Sequence, residues 1–180
     1  MLLSIGVFRL DWRPWPFAVE HAAKVLSFFA ALVPFTAAGA SFLRLLGWRP
    51  VEPMDNPFAA RTPADFWRRY NRATHQFLLE DVFKPAGGAR RPVRATIVTF
   101  AISALIHEYV FDVSASRIQG YQTLFFLVQG CAVAATARFR PRGPTAIPWV
   151  AATLTFNLAS GVLFFASLDE IVPFYTLRAP

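Results

Sequence analysis

Residues 102–113 read I-S-A-L-I-H-E-Y-V-F-D-V, an apolar run interrupted by His107, Glu108 and Asp112. His107 stands 13 residues beyond Arg94, about 20 Å along a helix. In a bilayer that depth is inside the hydrocarbon. Ionisable groups there are costly, and they face the protein interior or a water-filled cavity. A neutral imidazole is the natural group to take a proton from an alcohol near neutral pH, and burial favours its neutral form. Reaction of an alcohol with a membrane-held acyl donor needs such a base in such a place. The structural alternative is a His107 that caps a neighbouring helix or pairs with Glu108. No metal site is expected, because H-E-Y-V-F lacks the second histidine of H-E-x-x-H and no other His or Cys stands nearby.

The composition says what kind of element holds these residues. Of the 180 residues, 55% are apolar and only 16% are charged, against roughly 25% charged in an ordinary soluble domain. Mean hydropathy is +0.39. So small a chain cannot bury that much apolar surface in one core. Disorder is excluded by the same balance, and a disulfide scaffold by Cys131 being the sole cysteine. Cys131 lies in an apolar stretch and is expected to pack there. Four long segments carry no Asp, Glu, Lys or Arg: residues 25–43, 95–107, 118–137 and 143–168. About 20 apolar residues cross a hydrocarbon core of about 30 Å, a length the second segment reaches when extended over 94–113. The expectation is an all-α, multi-pass transmembrane helical bundle of about four spans, with residues 1–180 forming a single membrane domain.

Orientation follows from the bases between spans. Residues 44–94 hold ten Arg or Lys against five Asp or Glu, and residues 138–142 hold three Arg and no acid. The loop around 112–120 and the tail after Leu168 are poor in bases. This alternation places both basic segments in the cytoplasm. The net charge of +7 then reports topology, and no nucleic-acid partner is expected. Sixteen Arg against two Lys hint at a GC-rich coding sequence, and hence at a bacterial cytoplasmic (inner) membrane. D-W-R-P-W-P-F at residues 11–17 has the character of an interfacial aromatic belt. Glu20 and His21, just beyond it, are expected at the interface. Asn157, deep in the last span, either lines a cavity or bonds across helices. Residues 1–8 are too short to span; they are either the end of a helix begun upstream or a short interfacial segment.

The cytoplasmic connection carries the second chemical feature. Thr62 reads as a helix cap, followed by Pro63 at the first helical position and Asp65 three residues after the cap. From there to about Phe83 the pattern is helical, with Phe66, Tyr70, Ala73 and Phe77 on one face, and Arg68, Arg72 and His75 opposite. Asn71 stands at the border. An amphipathic cytoplasmic or interfacial helix is expected, either as a surface anchor with arginines on lipid phosphates or as part of a site.

Taken together, the two segments resemble a known family. Asp65-Phe66-Trp67-Arg68-Arg69-Tyr70-Asn71 is similar to the D-F-W-x-R-x-N signature of membrane-bound O-acyltransferases. Asn56-Pro57-Phe58 and Ser103-Ala104-Leu105-Ile106-His107-Glu108-Tyr109 resemble the wax-synthase-like branch, which is related to diacylglycerol and sterol acyltransferases. The likeness covers residues 55–113. Family members usually have many more spans enclosing a tunnel, so this chain resembles their C-terminal catalytic part.

The resemblance implies transfer of a fatty acyl group from acyl-CoA to the hydroxyl of a lipophilic alcohol, giving a wax ester or acylglycerol. His107 and Asn71 match the family's catalytic residues: His107 as general base, Asn71 beside it as an oxyanion donor or orienting group. Trp67, Arg68, Arg69, Arg72 and Glu108 form the implied substrate-binding set. Arg68, Arg69 and Arg72, with Lys84, Arg90 and Arg91, are placed to meet CoA phosphates. No nucleophile and no cofactor are required beyond acyl-CoA as co-substrate. The lipid bilayer, acyl-CoA and the alcohol are the expected partners, and homo-oligomerisation is left open. Two other readings stay open: a polysaccharide or protein acceptor, and a non-catalytic membrane subunit.

Overall fold

The computed structural model describes residues 2–176, and every regular element among them is helical. A short helix α1 (Leu2–Arg9) packs on α2 (Phe17–Leu45). Between them the indole of Trp12 is buried and donates to the carbonyl of Val7 at 2.9 Å, while Trp15 stays exposed. The connection that follows holds α3 (Pro63–Arg69) and α4 (Arg72–Leu78), the latter running on through one wider turn at Leu79–Phe83. Helices α5 (Pro92–Ala115), α6 (Tyr121–Thr136) and α7 (Ala146–Asp169) complete the bundle. Helix α6 is its centre, packed most extensively on α5 and also on α7 and α3.

Three helices, α2, α5 and α7, are long and apolar enough to cross a membrane. The fourth expected span is shorter. Helix α6 has 16 residues, about 24 Å, because Gly120 adopts a left-handed conformation (φ +81°) and starts the helix late. Helix α6 nonetheless joins the two faces of the bundle. Arg61 donates to the carbonyl of Pro141 at 3.0 Å, and the Ala64 N–H to Thr136 Oγ1 at 3.3 Å. The two basic segments therefore lie together at one end. At the other end Arg117 pairs with Glu170 at 3.3 Å.

The expected single amphipathic helix from Thr62 to Phe83 is two helices meeting at a bend. Thr62 does cap, its Oγ1 accepting from the Asp65 N–H at 3.1 Å. Helix α3 then stops at Tyr70, which is extended, and Asn71 turns left-handed at φ +45°. Asn tolerates that conformation better than most residues and is a favoured N-cap. Its side chain accepts from the Thr74 N–H at 3.4 Å to begin α4.

Glu20 and His21, at the start of α2, are buried inside the protein. Both are 3% exposed, because the chain after α7 folds back onto the start of α2. Glu20 accepts from Lys24 Nζ at 2.5 Å and from the Thr176 N–H at 2.6 Å. His21 donates through Nε2 to the carbonyl of Leu158 at 2.8 Å and accepts the Tyr175 hydroxyl at Nδ1 at 2.6 Å. This polar knot ties α2 to the rest of the bundle. Cys131 is exposed on α6 and not packed inside.

Candidate active site

The bundle and the α3–α4 connection enclose an open, mainly apolar cavity of about 840 Å³, a size suited to a small-molecule ligand. Its walls carry Phe28 and Phe29 of α2, Phe100 of α5, Phe125 and Phe126 of α6, and Phe164 of α7. A few polar groups converge on this lining. His107 and Asn71, separated by more than thirty residues in sequence, both line it.

His107 is half-buried on α5, its ring 4.3 Å from that of Phe126. Its Nδ1 lies 2.8 Å from the carbonyl of Ser103, one turn earlier. A carbonyl only accepts, so Nδ1 carries the proton and the neutral ring keeps its lone pair on Nε2. One backbone hydrogen bond thus sets the tautomer that a general base needs.

Asn71 reaches the cavity because of the bend. A continuous helix would have kept it on the border of a surface face. Its Oδ1 is committed to Thr74, so its amide N–H groups are the part left to donate. Tyr70 beside it also lines the cavity; its ring stacks on Phe66 at 5.5 Å, and burial pushes its hydroxyl pKa up.

Trp67 lines the cavity and donates through Nε1 to Gln129 Oε1 at 2.9 Å. The Gln129 amide donates in turn to Ser160 Oγ at 2.9 Å and to Asn157 Oδ1 at 3.3 Å. The Asn157 amide nitrogen is buried with no hydrogen-bond partner among the described residues, on a residue that lines the same cavity. Gln129 escaped the reading of the sequence, although a glutamine in the middle of an apolar helix is the same signal that marks His107.

The remaining expected site residues divide between mouth and scaffold. Arg68 lines the cavity mouth and holds Asp65 Oδ1 at 2.7 Å. Arg69 is a clip: it holds the same oxygen at 3.0 Å and the Asp55 carbonyl at 3.2 Å, outside the cavity lining. Burial disfavours the Asp65 anion, but the Arg61 N–H and the two guanidiniums outweigh it and hold the carboxyl below its usual pKa. Arg72 lines a small side pocket next to the mouth. Glu108 lies outside the cavity lining; its carboxylate accepts from the N–H groups of Gly120 at 2.5 Å and Thr123 at 2.6 Å, capping α6. Lys84 pairs with Glu80. Arg90 and Arg91 sit on the turn before α5, away from the cavity lining.

Several known proteins resemble this chain. An acyl-CoA–sterol O-acyltransferase 1 of Arabidopsis thaliana is 29% identical over 82% of the chain, which spans about half (50%) of that protein's length. Sterol O-acyltransferase 2 of Candida albicans is 35% identical over 68 residues, 37% of the chain and 11% of that protein. A probable sterol O-acyltransferase 2 of Schizosaccharomyces pombe is 33% identical over 64 residues, 36% of the chain and 14% of that protein. No solved structure matches the chain significantly. The profile of the membrane-bound O-acyltransferase family matches residues 17–168, from the first residue of α2 almost to the end of α7. With that match covering most of its length, the chain belongs to the membrane-bound O-acyltransferase family.

Proposed function

We propose that this chain transfers a fatty acyl group from acyl-CoA to the hydroxyl of a lipophilic alcohol inside the membrane. The observation that carries the reading is that His107, with Nδ1 committed to Ser103, shares one apolar cavity with the amide of Asn71. His107 Nε2 takes the proton of the acceptor hydroxyl as its oxygen attacks the thioester carbonyl. The tetrahedral oxyanion is met by the Asn71 amide, a contribution worth about 3 kcal/mol where such donors have been removed elsewhere. Collapse expels the CoA thiolate, which regains the proton from Nε2. Atoms balance with no enzyme nucleophile and no cofactor. The Trp67–Gln129–Asn157 chain holds the middle of the cavity, where the Asn157 amide is a further donor. The apolar walls receive the acyl chain and the acceptor skeleton.

The relatives named for sterol acyl transfer make a sterol-like alcohol one acceptor class, and the wax-synthase-like signature makes a long-chain alcohol the other. The arginine-rich composition supports a bacterial cytoplasmic membrane, although the relatives above are eukaryotic. The test is product analysis. Membranes carrying the chain are supplied with labelled palmitoyl-CoA and, in parallel, hexadecanol, a sterol, monoacylglycerol and a water-soluble polysaccharide. Organic-soluble ester from one of the first three supports the reading. Label appearing only in the polysaccharide, or in no ester at all, contradicts it.

A further inference from the structure

The cavity lining stops at one level on each helix, away from the end where Arg68 stands: at Val25 on α2, His107 on α5, Phe125 on α6 and Phe165 on α7. The proposed base therefore stands at the far end of the cavity. Residues 170–176, after α7, turn back across that end. Phe174 and Tyr175 join Val25 and Phe165 in one buried apolar cluster, and the Phe174 ring stacks on Phe165 at 4.6 Å. Neither Phe174 nor Tyr175 lines the cavity, so they stand one ring behind its wall. Hydrogen bonds hold this strap in place. Asp169 Oδ1 accepts from the N–H groups of Phe174 at 2.6 Å and Tyr175 at 2.8 Å. The Tyr175 hydroxyl is bonded to His21, and the Thr176 N–H to Glu20. Charged groups gather at the same end, where Arg117 pairs with Glu170 at 3.3 Å.

An imidazole that can deprotonate an alcohol can also deprotonate water. Water reaching Nε2 of His107 would attack the thioester carbonyl. Its oxygen would stay on the acyl carbon as a free fatty acid, and its proton would pass through Nε2 to the departing CoA thiolate. Closed sites prevent such side reactions by excluding water. During reaction the thioester donor itself fills the mouth, which leaves the strap end as the route for water. We infer that residues 170–176 are a water seal behind His107, with Phe174 as the positioning residue that decides between the alcohol and water as acyl acceptor. The inference rests on the acyl-transfer reading for the reaction that the seal protects.

The first test needs no turnover. Val25→Cys, in the full chain carrying Cys131→Ser, is reconstituted in vesicles and exposed on the strap side to a membrane-impermeant methanethiosulfonate. Labelling is expected to be slow, and to quicken about tenfold or more when Phe174→Ala opens the end. The second test supplies labelled palmitoyl-CoA with an accepted alcohol and counts free palmitate against ester. That ratio should rise about tenfold in Phe174→Ala and less in Phe174→Leu and in Tyr175→Phe, which only unlatches the strap. The milder pair keeps the test decisive if Phe174→Ala does not fold. A general loss of structure would lower both products together and leave the ratio where it was. Unchanged labelling, or faster labelling with an unchanged ratio, overturns the inference. Thioester left unconsumed by the unmodified chain would count against the acyl-transfer reading instead, and the labelling rates would still decide whether the strap is a seal.

Discussion

The indole N–H of Trp67 donates to the side-chain carbonyl of Gln129 across 2.9 Å, pinning α3 of the connection after α2 to the middle of α6. Through Gln129 the same link reaches Ser160 and Asn157 on α7. Position along the cavity is therefore set by hydrogen bonds as well as by apolar contact.

Trp67→Phe keeps the ring and removes the donor. It leaves Gln129 Oε1 bare, and SDS-driven unfolding should show a loss of about 1 kcal/mol. An unchanged unfolding curve would mean the link contributes nothing.

Asn71 has two separable jobs. Asp at this position retains the oxygen that caps α4 but has no N–H to donate, so Asn71→Asp should fold with stability near that of the unmodified chain. Its kcat is expected to fall by about 10²–10³. Asn71→Gly keeps the left-handed backbone and costs only a few tenths of a kcal/mol of capping, with the same fall in rate. Full activity in Asn71→Asp would remove the amide from the mechanism.

Glu108 holds the start of α6 through two backbone N–H groups. Glu108→Ala should cost about 1 kcal/mol in unfolding. The KM for acyl-CoA in the folded fraction should stay within about twofold. A large KM change with unaltered stability would restore a direct substrate contact.

Gly130 is where α5 and α6 approach closely: a Cβ added there would stand 2.7 Å from Phe100 Cβ. Gly130→Ala is predicted to destabilise by about 1–3 kcal/mol through overpacking, read as a lower midpoint in thermal unfolding. Phe100 also lines the cavity, so the rate should fall with it.

Much of this arrangement was legible before the fold was known, for local reasons. Uncharged segments report span positions directly, and α2, α5 and α7 follow them. Depth in an apolar run marks His107 without any knowledge of its neighbours. The bend at Tyr70–Asn71 was hidden because helical periodicity continues straight across it, so Phe66, Tyr70 and Phe77 looked like one face. Only the Asn71–Thr74 capping spacing betrays it. The burial of Glu20 and His21 was not readable locally, since their partners Tyr175 and Thr176 lie more than 150 residues away. Glu108 posed the same difficulty: adjacency to His107 in sequence suggested a shared site, whereas the helix points its carboxylate at the next helix start.

The central claim is that the Nε2 lone pair of His107 takes the acceptor's proton. The direct measurement is single-turnover ester formation by His107→Ala and His107→Gln in membranes, alongside binding of a non-reactive acyl-CoA analogue. The account predicts a fall in rate of about 10²–10⁴ with analogue binding held within about twofold. Ester formation at the unmodified rate in either variant would contradict it.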